Sequence, residues 1–120
     1  MTRVNIFEHN GKEIILVDFS DADEKKAVEI MEEGSKAIRS KPEGSLLTLT
    51  NVKNTRYNSE TVKMMTDFVK GNKPHVKAAA VIGLSNIKKV ILNALNQAAG
   101  RNIRAFSDEK EALNWLSMQK

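Results

Sequence analysis

Three aspartates lie close together early in the chain, Asp18, Asp21 and Asp23, and clustered carboxylates can hold a magnesium ion or accept a phosphoryl group. An acid pocket of that kind also needs a carboxylate at the end of the next strand, where the sequence has Asn51 and Val52. A calcium loop fails as well, because its fifth position falls on Lys25 and the closing bidentate glutamate is missing. The three acids read instead as an acidic helix start, favoured by the positive end of the helix dipole. Gly83-Leu84-Ser85 has the first half of a G-x-S-x-G nucleophile elbow, but Ile87 stands where the second glycine belongs. His9 falls in a turn and His75 beside Pro74, and neither has a serine partner at the carboxyl edge of a sheet. No phosphate-cradling G-x-x-x-x-G-K-[ST] or G-x-G-x-x-G occurs, and with no cysteine there is neither a disulfide nor a thiolate ligand. The sequence therefore predicts no enzyme, no metal site and no cofactor.

What remains is recognition. Arg56, Asn58 and Ser59 precede one helical segment, and Ser85, Asn86 and Lys88 open another. Helix starts carry free N–H groups and a positive dipole end, so these residues form a candidate surface for an anion or a protein partner. Charge supports the choice of region. Residues 1–50 hold 7 basic and 10 acidic side chains, whereas residues 51–107 hold 10 basic and 2 acidic. The second stretch can attract an anionic ligand or an acidic protein surface. Nucleic acid is not expected, because aromatic residues make up only 5% of the chain and none interleaves with the basic ones.

These loops need elements to hold them. Val4, Ile6 and Glu8 begin a strand, and Asn10-Gly11 predicts a hairpin turn because both residues tolerate positive φ. Ile14 to Val17 is continuously apolar, as suits a strand covered on both faces. Ser20 and Asp21 read as helix caps before Ala27, Ile30, Met31, Gly34 and Ile38, with the helix ending near Ser40. Leu46 to Thr50 is the next strand. The following helix carries Val62, Met65, Phe68 and Val69 inward and is expected to stop at Gly71 and Pro74. Ala78 to Ile82 is a strand, Ile87 to Ala98 an amphipathic helix ended by Gly100, and Ile103 to Phe106 a short strand. A last helix, capped by Asp108, buries Ala112, Leu113, Trp115 and Leu116. The order β-β-α-β-α-β-α-β-α predicts an α/β domain over residues 1–120, with a mostly parallel sheet preceded by an extra strand. No apolar run is long enough for a membrane span, and the first eight residues alternate like a strand rather than a signal peptide. A cytoplasmic location is expected.

This element order resembles the SpoIIAA-like superfamily, which includes the STAS domains of anti-anti-sigma factors and the STAS/SEC14-type small proteins. The stretch from Arg104 to Leu116, with a short strand, an acidic helix start and an A-x-x-W-L ending, is similar to the STAS/SEC14-type members. In anti-anti-sigma factors a D-S-[ST]-G-[LIV] pattern after the third strand carries a phosphorylated hydroxyl. Its nearest counterpart is Asn58-Ser59-Glu60-Thr61-Val62, where Glu60 occupies the acceptor position and Ser59 and Thr61 are the remaining candidate phosphoacceptors. The resemblance implies a non-catalytic binding or regulatory domain, acting on a protein or small anionic ligand through the carboxyl-edge loops. Its SEC14 side implies an alternative, a carrier of a small apolar or lipid-like molecule in a pocket lined by Met65, Phe68, Leu84, Ile87 and Ile91. A homodimer is compatible with either reading.

Overall fold

Asn10 and Gly11 both take positive φ, 50° and 78°, and close a two-residue hairpin. It joins β1 (Val4–His9) to β2 (Lys12–Asp18) in antiparallel register, with Val4 opposite Val17 and His9 opposite Lys12. Then follow α1 (Glu24–Arg39), β3 (Leu46–Asn51), α2 (Ser59–Asn72), a 3-10 turn (Lys73–His75), β4 (Val76–Ile82), α3 (Asn86–Ala99), β5 (Arg104–Phe106) and α4 (Glu109–Ser117). The computed structural model of the chain describes residues 3–119, apart from the side chains of Asn86 and Ile87.

The spatial order of the strands is their order in the chain, β1-β2-β3-β4-β5, and β2 to β5 run parallel. Crossovers of one hand in a sheet that always steps the same way put their helices on one face. Packing follows that rule. Ile15, Val17 and Val81 join Ile30 of α1, Phe68 of α2 and Leu95 of α3 in one core. The alternate residues Ile14, Leu47, Leu49 and Ala80 meet Ala112 and Leu116 of α4 on the other face. The apolar runs in β2 and β3 thus reflect strands covered from both sides. Between α1 and α2 the approach is close: a Cβ on Gly34 would lie 3.3 Å from the Phe68 ring.

Four boundaries differ from the sequence reading, each for a local reason. The α1 cap is Asp23, whose carboxylate accepts the Lys26 N–H at 2.8 Å, rather than Ser20 or Asp21. Asp21 instead turns the chain at φ 58°, which drops Ala22 into the core. Gly71 does not stop α2, which runs on to Asn72. A Cβ there would strike the Arg39 guanidinium, and Arg39 Nε donates to Asn72 Oδ1 at 3.1 Å. β4 begins at Val76, two residues early, because Val76 already pairs with Leu46. β5 begins one residue late, since the Asn96 side chain takes both main-chain groups of Ile103 at 3.1 Å.

Candidate functional site

The carboxyl edge is laced together by main-chain hydrogen bonds. Phe19 N–H donates to Asn51 O, Asp21 N–H to Lys53 O, Arg56 N–H to Ala22 O and Val52 N–H to Ile82 O, so the loops after β2, β3 and β4 form one layer. Thr55, fully buried, adds its hydroxyl to Phe19 O at 2.7 Å. Gly83 completes the layer at φ 87°, where a Cβ would sit 2.6 Å from the Lys53 nitrogen. Only glycine combines that conformation with that approach.

Two helix starts rise from this layer. Asn58 caps α2 through a reciprocal box: its Oδ1 accepts the Thr61 N–H at 2.8 Å, and its own N–H donates to Thr61 Oγ1 at 2.8 Å. Ser85 caps α3 by accepting the Lys88 N–H at 3.3 Å. Arg56, Ser59 and Ser85 are exposed on this edge. Thr61 is buried, its hydroxyl bonded to the cap at both ends, so Ser59 is the exposed one of the two candidate phosphoacceptors. Lys88 is no free cation. Its Nζ donates to Thr55 O at 2.6 Å and lies 5.0 Å from the Tyr57 ring centroid. The lysine therefore ties the first turn of α3 to the laced loop, a role that its place in the sequence did not reveal.

Beneath this tether a cavity of about 70 Å³ opens between the sheet, α2 and α3. Met65, Phe68, Leu84 and Ile91 line it, with Tyr57 and Lys88 also contributing. The side chain of Ile87, like that of Asn86, lies outside the described residues. Burial pushes the Tyr57 hydroxyl up to about 12, while an interaction with the Thr55 side chain pulls the other way. α3 packs mainly on α2, and its second half buries Leu95 and Ala99, with Leu95 also lining the cavity. Its first half carries Lys88, Ile91 and Leu92 above the gap, and Val90 faces solvent.

Among the described residues no group of three His, Asp or Glu side chains converges as metal ligands would. No described helix is long and apolar enough to cross a membrane. His9 faces Asn114 and His75 faces the Lys41 carbonyl, both away from the carboxyl-edge loops.

No family model matches the sequence, and no curated protein does. Among solved structures the chain is similar to an anti-sigma-factor antagonist (STAS) domain protein from Planctomyces limnophilus. The TM-score is 0.63 and the identity 14%, covering 95% of this chain and 97% of that one. The fold is therefore STAS-like, with an antiparallel leading strand and parallel strands thereafter.

Proposed function

We propose that this chain is a non-catalytic binding domain that engages a partner protein at the carboxyl edge of its sheet. The apolar cavity between α2 and α3 supports this reading, with Arg56, Asn58 and Ser59 at one helix start, Ser85 and Asn86 at the other, and Lys88 tethering the second start to the loop of the first. Its size favours a macromolecular partner. Sites for whole small molecules usually enclose about 300–1,000 Å³, whereas about 70 Å³ suits one apolar side chain. Arg56, Lys53 and Lys89 stand exposed on the same edge, so acidic residues flanking that side chain would be favoured.

The second reading, a carrier of a small apolar or lipid-like molecule, draws on the same cavity. It requires the first half of α3 to lift from the sheet, and the exposure of Val90 in that half supports it. A native mass spectrum of protein purified gently from its own host separates the two. A bare polypeptide is expected, and a co-purified small molecule would overturn the partner-protein reading in favour of the carrier. A mass increase of one phosphoryl group, removed in Ser59→Ala, would identify Ser59 as a regulatory acceptor within the binding surface.

A further inference from the structure

The opposite, amino edge of the sheet holds a second opening of different character. β5 is three residues long and pairs only with Ala80, Val81 and Ile82 of β4. Among the described residues, the first half of β4, Val76–Ala79, consequently has no strand beside it on the side away from β3. A bulge falls in the same stretch: Leu46 lies opposite Val76 but Leu47 opposite Ala78, so Lys77 has no partner on β3 either. A strand edge of this kind is a template for another chain. Here it lies at the bottom of a groove of about 330 Å³, walled on one side by Gly100, Arg101 and Asn102 and on the other by Trp115 and Gln119. The walls occupy the two faces of the sheet and leave between them the space that a longer β5 would fill.

The charge of the groove is one-sided. The exposed Lys73 and Lys77 line it, as does Arg101, whose guanidinium donates to the Val69 carbonyl, and among the described residues no Asp or Glu does. Arg104 adds a cation beside it, 5.5 Å from the Trp115 ring centroid. A single lysine on an edge strand would serve as a guard against aggregation, but Lys77 on the strand, Lys73 in the 3-10 turn before it and Arg101 in the loop after α3 together make a charged slot. We propose that this slot receives an extended acidic segment of a partner protein, which adds along Val76–Ala79 as a short sixth strand. Main-chain hydrogen bonds supply affinity in this mode and alternate side chains supply specificity. With a period of two, one set of peptide side chains faces the Gly100–Asn102 wall and the other faces Trp115, which favours apolar groups; the exposed Lys73 and Lys77 favour acids along the segment.

The test uses the full chain, labelled for amide detection, and an acetylated and amidated (Glu-Val)₃ peptide. Saturable binding with slowed amide exchange at Lys77 and Ala79 is expected. The double variant Lys73→Glu, Lys77→Glu changes two exposed side chains and should weaken binding by about tenfold or more. A (Lys-Val)₃ peptide should not bind. Equal binding of both peptides would mean general edge stickiness and overturn the proposal. Displacement of the peptide by tripolyphosphate without amide protection would reassign the groove to small polyanions, and absence of a saturable response up to millimolar peptide would remove the site altogether.

Discussion

Tyr57 shows how one residue can join the laced loop to the cavity behind it. It is the sole tyrosine of the chain, so its ionisation can be followed without overlap from another phenol. Burial raises its hydroxyl from the ordinary 10 to about 12. A group whose value rises on folding contributes stability that is complete below the unfolded value and is lost as pH climbs through the folded one. An ultraviolet titration should therefore show tyrosinate appearing near 12 in the native protein and near 10 in denaturant. Native stability should fall across that window, and Tyr57→Phe should abolish this part of the fall. A native midpoint near 10 would mean that the phenol is open to water and the cavity mouth is not closed by it. Lys88 belongs to the same assembly. Its position in the first turn of α3 suggested a cation available to a ligand, whereas its ammonium is spent on the Thr55 carbonyl.

At the scale of elements, the helix starts decide how firmly the working edge is held. Asn58 and Thr61 satisfy each other's main-chain N–H groups, and this pair anchors α2 to the loop carrying Arg56 and Tyr57. Asn58→Ala should cost about 1 kcal/mol of stability, read as a lower urea midpoint, while Asn58→Ser should restore most of it. An unchanged midpoint in the alanine variant would show that the cap does not hold the helix. The elements themselves were readable in the sequence, because Asn10-Gly11, the apolar runs and the helical stripes are local signals. Less local arrangements were not. The Asn58–Thr61 box departs from the usual Ser/Thr-x-x-Glu/Gln order. The Asn96 clamp on Ile103 depends on a loop returning beside α3. Met65, Phe68, Leu84 and Ile91 were identifiable as apolar, but the gap they line lies between the sheet, α2 and α3, which residues far apart in the chain bring together. The groove at the amino edge gave no sequence signal, since it comes from the shortness of β5 relative to β4.

For the molecule as a whole, the two faces of the sheet are unequally protected. Three helices share one core, and the nine residues of α4 cover the other through Ala112 and Leu116, both fully buried. Leu116→Ala should cost about 2–5 kcal/mol and shift the Trp115 fluorescence as its surroundings loosen. A loss below about 1 kcal/mol would mean that α4 contributes little to the second core. The same inequality has a bearing on biosynthesis. Every strand pairs with its neighbour in the chain, so the sheet and its three-helix face can assemble in the order in which the ribosome delivers them. α4 follows all five strands in the chain, and it is α4 that covers Ile14, Leu47, Leu49 and Ala80. Until α4 docks, a chain folding in this order would carry a formed sheet with one open apolar face, and that interval is when a chaperone would help it most.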